Sequence, residues 1–239
     1  MSDVVFVHAG IADSRMWTPQ LESFAAAHTV HVFDLPGFGS APLVPGRLSY
    51  VDWVAERTPA GAAVVGASFG GRIALDLALA RPEVVSRLVL LAPGLGGWEW
   101  SEAARAGFAE EEEAIERGDL DHAAQSQVRM WLADDAAPAV RELVRQMTLQ
   151  TYELQLPLED EVEVVWPEPP ARERLAEIAV PTLVAVGTED VPDMLEIAEL
   201  LERSIPRARK VVLEGAGHLP SLEQPDDLKR LVLDFLRPI

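Results

Sequence analysis

The sequence predicts an α/β fold in which a mainly parallel sheet of about six strands is flanked by helices. Short apolar and β-branched runs alternate with segments of helical periodicity, which is the order that crossover helices produce in a parallel sheet. The runs are almost continuously apolar, as expected for strands that are buried on both faces. The chain has 239 residues, of which 49% are hydrophobic, so it is long enough to form one large core.

Each predicted strand is a short apolar run that ends at turn residues. In chain order the predicted strands are Asp3–His8, Thr29–Asp34, Ala62–Gly66, Arg87–Ala92, Val180–Gly187 and Arg209–Glu214. Five other segments have apolar residues at the spacing of a helix that packs one face on a sheet. These predicted helices are Arg15–Ala27, Tyr50–Arg57, Phe69–Arg81, Met194–Ser204 and Asp226–Leu236. Pro82 and Pro206 end two of them, because proline does not continue a helix.

Residues 98–170, called the insert below, interrupt this alternation. They contain helical patterns at Leu120–Ala133 and Ala139–Leu154 but no convincing strand. We therefore expect residues 1–97 and 171–239 to form the core and the insert to form a helical lid over it.

The composition excludes several classes of protein. The formal net charge is −19, and −13 of it lies in the insert, which has 18 acidic and 5 basic residues. This charge repels a phosphate backbone, so we expect no nucleic-acid partner. A chain without cysteine has no disulfide scaffold, thiol nucleophile, iron–sulfur cluster or cysteine-bearing zinc site. Because there is no basic leader and no apolar run of about 20 residues, we expect a cytoplasmic protein with no membrane partner.

The most specific motif is Gly66-Ala67-Ser68-Phe69-Gly70, a G-x-S-x-G sequence between a predicted strand and a predicted helix. A nucleophile on such a sharp turn needs small neighbours so that the helix and the adjoining strand can approach each other. The free N–H groups at the helix N-terminus would stabilise negative charge at the Ser68 hydroxyl. Ser68 is therefore the candidate nucleophile. The alternative is a glycine-rich packing turn with an incidental serine.

A serine hydroxyl needs a base to take its proton, and histidine has a suitable pKa near neutrality. His28, His31 and His122 lie in helix, strand and insert patterns, where a surface or core role is expected. His218 instead follows the last predicted strand in a glycine-flexed loop, at the sheet edge where open α/β sheets bind their ligands. His218 is therefore the candidate base.

The base needs a carboxylate that orients it. The predicted strand that ends at Gly187 is followed by Glu189 and Asp190. Asp190 is the candidate acid, with Glu189 and Asp193 as alternatives. The chain order is thus nucleophile, acid, histidine.

With these residues the sequence resembles the α/β-hydrolase superfamily over essentially the whole chain, because that chain order is the order of the family. Four stretches are similar to family motifs. His8-Ala9-Gly10-Ile11 is similar to the H-G-x oxyanion motif, and Asp34–Ser40 is similar to the D-x-P-G-x-G-x-S turn. The other two are the serine motif and the stretch His218–Pro225. The resemblance implies an α/β-hydrolase fold, with the insert at the position of the family's helical cap.

The resemblance also implies an oxyanion hole, formed by the backbone N–H groups of Phe69 and Gly10, with Ile11 as the alternative to Gly10. His8 is usually structural in this family and packs beneath the oxyanion loop, and Asp34 usually holds a turn.

The sequence departs from the family pattern in two ways. Ala9 replaces the usual glycine of the oxyanion motif, which could tighten that loop. The chain also begins directly at the strand before this motif, without the customary antiparallel hairpin. The second departure predicts a smaller, all-parallel sheet of six strands with an early strand at or near an exposed edge.

The resemblance implies a serine hydrolase that cleaves a small carboxylic ester or lactone through an acyl-enzyme on Ser68, with no metal and no organic cofactor. The insert is expected to determine which substrate is accepted. The candidate substrate-binding residues are Ile11, Trp98, Trp100, Met130, Trp131, Tyr152 and Leu219. An apolar residue of this kind, taken alone, is more often part of the core.

The fold alone does not determine the reaction. Dehalogenases and epoxide hydrolases of this fold have an aspartate in place of Ser68, and hydroxynitrile lyases rely on a lid lysine that the insert lacks. One alternative is a C–C hydrolase or a lyase like the menaquinone-pathway synthase, because the run Ser68–Arg72 is similar to its S-x-G-G-R sequence. In that synthase the arginine helps to bind an anionic substrate, whereas a structural role for Arg72 is the simpler interpretation. The third hypothesis is a ligand receptor without catalytic activity.

Overall fold

The computed structural model describes residues 1–237, which form one large and one small β-sheet. The strands are β1 (Ser2–Val7), β2 (His28–Val32), β3 (Gly46–Leu48), β4 (Ala62–Ala67), β5 (Val85–Leu91), β6 (Val162–Val164), β7 (Thr182–Gly187) and β8 (Ala208–Leu213). The large sheet has the order β2-β1-β4-β5-β7-β8, and every neighbouring pair in it is parallel. The predicted α/β-hydrolase fold with six parallel strands is confirmed, and β2 is the early strand at an edge.

Burial explains why the strands could be recognised from apolar runs. Every residue of the interior strands β4 and β7 is buried, so these strands are apolar without interruption. The edge strands β2 and β8 include half-buried and exposed residues, and their sequences contain histidine, arginine and lysine.

Most of the helices follow the predicted pattern with small shifts at their ends. They are α1 (Thr18–Ala25), α2 (Tyr50–Ala55), α3 (Phe69–Ala80), α4 (Glu102–Glu116), α5 (Leu120–Trp131), α6 (Pro138–Gln155), α7 (Pro192–Ser204), α8 (Pro220–Glu223) and α9 (Pro225–Leu236). Two of them, α4 and α8, were not predicted. Among the predicted helices, the largest difference is at the first. There Ser14–Trp17 is a 3₁₀ turn, and α1 begins at Thr18, which places Pro19 in the first turn, where its missing N–H costs nothing.

The core consists of two apolar layers, one on each face of the large sheet. Val5 and Val7 of β1 pack in the layer that contains α2, α3 and α7. Val4 and Phe6 of the same strand point to the other face, where α1 and α9 cover the sheet. This alternation is the period of two that a β-strand imposes on its side chains.

The small sheet corrects the prediction that the insert contains no strand. β6 lies in the insert and pairs in parallel with β3 of the core, with Arg47 opposite Glu163. Strands of three residues are too short to show a period in the sequence, and this pairing joins segments more than 100 residues apart.

The insert also contributes α4, α5 and α6, which pack around a small cluster of buried residues: Ala114, Ala123, Ala124 and Tyr152. None of the helices within residues 1–237 is long and apolar enough to cross a membrane.

Candidate active site

Ser68 lies on a strained turn between β4 and α3. Its backbone has φ 50° and ψ −112°, a conformation that residues other than glycine rarely adopt. A Cβ atom on Gly66 would lie 2.4 Å from the Gly70 carbonyl oxygen, and one on Gly70 would lie 2.3 Å from the Val7 carbonyl oxygen. Both glycines are therefore required for the helix to approach β1 and β4 closely.

Backbone hydrogen bonds hold this turn in place. The Ser68 N–H donates to the Leu91 carbonyl at 2.9 Å, and the Ser68 carbonyl accepts from the N–H groups of Arg72 and Gly94. Because Phe69 is the first residue of α3, its N–H has no partner within the helix. The positive end of the helix dipole therefore lies at Ser68, the residue before α3.

His218 and Asp190 form a buried pair. The Nδ1 atom of His218 is 2.8 Å from Asp190 Oδ2 and 3.1 Å from Oδ1. The exposed fractions are 1% for His218 and 7% for Asp190. An ionised carboxylate only accepts hydrogen bonds, so in the neutral imidazole Nδ1 carries the proton and Nε2 is the acceptor. His218 Nε2 is buried and has no hydrogen-bond partner among residues 1–237.

The two alternative acids lie elsewhere. Asp193 accepts hydrogen bonds from the backbone N–H and hydroxyl of Ser101 and from Trp98 Nε1, and so holds the start of α4 against α7. Burial opposes ionisation of Asp193, but these hydrogen bonds outweigh it and lower its pKa. Glu189 is exposed. Of the three candidates, the structure brings only Asp190 to His218.

Glu223 fixes the loop that carries His218. Its carboxylate accepts hydrogen bonds from the backbone N–H groups of Gly217 at 3.0 Å and Leu219 at 2.8 Å, on either side of the histidine. It also accepts one from Ala133 of the insert at 3.0 Å. The histidine loop is thus attached to the C-terminal end of α5.

Trp131 at the end of α5 contacts His218 directly. Its ring centroid is 4.2 Å from that of the imidazole, and its carbonyl accepts a hydrogen bond from the His218 N–H at 2.8 Å. The insert therefore covers one side of the candidate base.

The loop after β1 lies beside Phe69, as an oxyanion hole requires. An added Cβ on Gly10 would lie 3.4 Å from the Cβ of Phe69. Neither Gly10 nor Ile11 donates its backbone N–H to an acceptor within residues 1–237.

His8 has no ring nitrogen available for chemistry. Its Nε2 accepts from the Leu35 N–H at 2.9 Å, so Nδ1 carries the proton and donates to the Ala9 carbonyl at 2.8 Å. Burial lowers the pKa of His8, which keeps the ring neutral. The ring supports the backbone of the loop that contains Gly10.

Asp34 holds the neighbouring turn. It accepts hydrogen bonds from the N–H groups of Ser14 and Ser40 and from the Ser40 hydroxyl. Burial alone would raise the pKa of Asp34, but these hydrogen bonds prevail and lower it to about 2.

A cavity of about 240 Å³ has Ser68, His218 and the loop after β1 in its wall. It is lined by Gly10, Ile11, Ser68, Phe69, Arg72, Gly94, Leu95, Trp100, Phe108, Gln127, Trp131, Met194 and His218. Three of the predicted substrate-binding residues, Ile11, Trp100 and Trp131, are in its wall.

The other four predicted substrate-binding residues are not among the residues that line this cavity. Trp98 is held by Asp193 on the core side, and Met130 packs against Gly107 of α4. Tyr152 donates its hydroxyl hydrogen to Glu111 inside the insert. Leu219 is fully buried in the core layer that α1 and α9 cover. Apolar character alone did not distinguish wall residues from core residues.

Sequence reasoning missed five residues of the wall: Gly94, Leu95, Phe108, Gln127 and Met194. Arg72, which also lines the cavity, was considered only for the anionic substrate of the lyase alternative. A signal existed for Gln127, because it is four residues before Trp131 and shares a helix face with that candidate.

Arg72 brings a positive charge to the cavity. Its guanidinium carbon is 3.5 Å from the centre of the Trp166 ring, and its Nε is 3.9 Å from Asp76 Oδ2. Burial lowers the pKa of Arg72, although the nearby Asp76 opposes that effect. Burial raises the pKa of Asp76 to about 6, against the effects of Arg72 and Arg174.

Among residues 1–237 there is no group of three or more histidine, aspartate or glutamate side chains that could hold a metal ion.

The comparison with curated proteins finds esterases. The chain is 30% identical to the pimeloyl-[acyl-carrier protein] methyl ester esterase of Aeromonas hydrophila, over 98% of this chain and 95% of that protein. The enzyme of the same name from Yersinia pestis is 27% identical, over 98% of this chain and 92% of that protein.

Solved structures agree with the sequence relatives. A thermophilic esterase from Thermogutta terrifontis superposes with a TM-score of 0.80 at 26% identity, over 99% of this chain and 90% of that chain. The enol-lactonase from Burkholderia xenovorans gives the same TM-score of 0.80 at 22% identity, over 98% and 91%, which shows a common fold. The model of the alpha/beta hydrolase family matches residues 4–231. The chain therefore belongs to the alpha/beta hydrolase family.

Proposed function

We propose that this protein is a serine hydrolase that cleaves a small carboxylic ester or lactone through an acyl-enzyme on Ser68. One observation carries the proposal. Asp190 holds His218 by its Nδ1 atom, the Nε2 atom of His218 has no partner in residues 1–237, and His218 and Ser68 line the same cavity. A serine nucleophile needs a base whose ring is oriented in this way by a carboxylate. The relatives named as esterases support a hydrolase that acts on ester bonds.

The first half of the reaction forms the acyl-enzyme. His218 Nε2 takes the proton of the Ser68 hydroxyl while the serine oxygen attacks the carbonyl carbon of the substrate. The tetrahedral oxyanion accepts hydrogen bonds from the N–H of Phe69 and of Gly10 or Ile11. Asp190 stabilises the imidazolium, which then gives its proton to the departing alcohol oxygen.

The second half regenerates the serine. A water molecule gives a proton to His218 Nε2 and attacks the acyl carbon, and the same N–H groups hold the second oxyanion. The carboxylic acid then leaves as Ser68 recovers its proton. In a lactone the departing alcohol stays attached to the acyl group, so the product is one hydroxy acid. No step requires a metal ion or an organic cofactor.

The cavity supports a small substrate. Its volume of about 240 Å³ is below the roughly 300–1,000 Å³ of pockets for drug-sized ligands. Much of its wall is apolar, including Ile11, Leu95, Trp100, Phe108 and Met194. The names of the curated relatives describe methyl ester hydrolysis, so a methyl ester is a suitable member of a test series.

A second candidate is a lyase or C–C hydrolase with the same triad. It is favoured by Arg72, because this arginine lines the cavity and could bind an anionic substrate. The stacking of its guanidinium on Trp166 and the charge of the insert make this candidate the weaker one.

The test is hydrolysis of a series of methyl and p-nitrophenyl esters of increasing acyl length by the parent protein and two variants. Ser68→Ala should lower kcat/KM by about 10³-fold or more, and His218→Ala by a similar factor. Ser221→Ala is the matched control, because it removes a buried hydroxyl without a partner in residues 1–237, three residues after His218 but outside the cavity wall.

Ester turnover that depends on Ser68 and His218 but not on Ser221 would support the serine hydrolase. No turnover of any ester, with a folded protein, would favour the lyase. Ligand binding without turnover of any substrate class would favour a receptor.

A further inference from the structure

Gln127 of α5 is a buried polar residue in the cavity wall. Its exposed fraction is 3%, and it stands among the mostly apolar residues that line the cavity. The mechanism proposed above does not use it. A buried amide normally satisfies its donors and acceptors, so each of its polar atoms should have a partner.

One hydrogen bond determines the orientation of the Gln127 amide. Trp131 Nε1 lies 2.7 Å from the Gln127 side-chain oxygen. The indole N–H is only a donor, so the atom that faces it must be the amide oxygen rather than the nitrogen. The amide nitrogen is therefore directed away from Trp131.

The Gln127 amide nitrogen has no hydrogen-bond partner among residues 1–237, although it is buried. It carries two N–H donors, and an unsatisfied buried donor is costly. Arg72 also lines the cavity and has a buried Nε without a hydrogen-bond partner in the same part of the chain. Two residues of the cavity wall thus carry a buried donor without a hydrogen-bond partner in the described part of the chain.

We propose that Gln127 determines substrate specificity by donating a hydrogen bond to a second oxygen acceptor of the substrate, beyond the carbonyl that Ser68 attacks. The substrate class is then an ester or lactone that also carries a keto, hydroxyl or second ester oxygen. This inference rests on the proposed hydrolase function. Trp131 acts as the positioning residue, because it holds the amide oxygen and contacts His218.

The charge of the insert points to a neutral acceptor rather than a carboxylate. Gln127 belongs to the insert, which has 18 acidic and 5 basic residues. The negative charge of the insert would repel a substrate that carries a carboxylate, whereas it would not repel a neutral carbonyl or hydroxyl group.

The test compares matched ester pairs. Ethyl levulinate carries a keto group in the acyl part, and ethyl pentanoate lacks it. Acetonyl butanoate carries a keto group in the alcohol part, and propyl butanoate lacks it. For each pair the ratio of kcat/KM values is measured, and the change of this ratio on mutation cancels the intrinsic reactivity of the esters.

Gln127→Met removes the donor at similar size, and Gln127→Glu removes the donor while keeping an acceptor for Trp131. For at least one pair, the preference for the keto ester should fall by about five- to tenfold in both variants. Gln125→Met is the matched control, because Gln125 lies on the exposed side of the same helix. Its ratios should equal those of the parent. Unchanged ratios for both pairs in Gln127→Met would overturn the proposal.

Binding to Ser68→Ala separates this proposal from the hydrolase proposal. Binding is measured by the quenching of tryptophan fluorescence. At least one keto ester should bind more tightly than its partner, and adding the substitution Gln127→Met to Ser68→Ala should abolish that difference. Equal binding within both pairs overturns the specificity role even if the parent hydrolyses esters. A Gln127-dependent difference supports it even if no ester is hydrolysed.

Discussion

Asp190 contacts His218 with a carboxylate oxygen that only accepts hydrogen bonds, and this determines which ring nitrogen is free. In Asp190→Asn the side-chain amide can donate to Nδ1, which would place the proton on Nε2 and leave no base for Ser68. We expect kcat to fall by about 10³- to 10⁴-fold with little change in fold.

Glu189→Gln is the control for this prediction, because it makes the same chemical change at the exposed neighbouring residue. Steady-state kinetics on one p-nitrophenyl ester measures both variants. An Asp190→Asn variant that retains more than about a tenth of the parent rate would show that Asp190 does not orient the base.

The buried Asp76 should make stability depend on pH. Burial raises its pKa to about 6 from the ordinary 3.8, so between these values the folded state binds a proton that the unfolded state has released. The contribution of Asp76 to stability therefore falls as pH rises through this window. Asparagine does not titrate. The free energy of unfolding of Asp76→Asn minus that of the parent should therefore increase by up to about 3 kcal/mol as the pH rises through this window.

Urea unfolding at several pH values between about 4 and 7 measures this difference. Asp34 does not interfere, because its pKa of about 2 lies below the window. A constant difference between variant and parent across the window would refute the assignment to Asp76.

At the scale of elements, Glu223 joins the histidine loop to the C-terminal end of α5. Glu223→Gln leaves one acceptor oxygen for three backbone donors and turns an N–H₂ group toward them. We expect a loss of about 1–3 kcal/mol of stability and a lower kcat, because the loop would hold His218 less firmly. Glu214→Gln, at an exposed residue of the loop after β8, is the matched control.

Urea unfolding and the pH profile of kcat are measured for both variants. A merely structural role for Glu223 would reduce stability and leave the pH profile unchanged, whereas a positioning role would also move the profile. A Glu223→Gln variant as stable and as active as Glu214→Gln would contradict the expectation.

Elements with a long apolar run or a strong helical period could be predicted from the sequence. Interior strands such as β4 and β7 were of this kind, because burial on both faces leaves continuous apolar runs. β3 and β6 could not be predicted, since each has three residues and the pairing depends on where the insert lies.

The positions of the candidate triad could likewise be predicted from the sequence, whereas those of the cavity wall could not. Ser68, Asp190 and His218 each follow a strand of a parallel sheet, so their place at one edge follows from the topology. The wall depends on which way side chains of the insert point. Gln127 lines it, whereas Met130, three residues later on the same helix, does not.

At the scale of the whole molecule, the formal charge of −19 should act on charged substrates. For the anion monoethyl succinate, kcat/KM should rise a few-fold from low salt to about 0.3 M NaCl, because salt screens repulsion by the insert. The neutral ethyl butanoate should change little. A fall for the anion instead would indicate that attraction by Arg72 dominates.

The central claim is that Ser68 is a nucleophile activated by His218. The most direct measurement is labelling with a serine-directed phosphonate, followed by peptide mapping with mass spectrometry. We predict one adduct per chain, located on Ser68, with labelling that is abolished in Ser68→Ala and strongly slowed in His218→Ala. Labelling at a different serine, or labelling at Ser68 at the same rate in His218→Ala, would contradict the account.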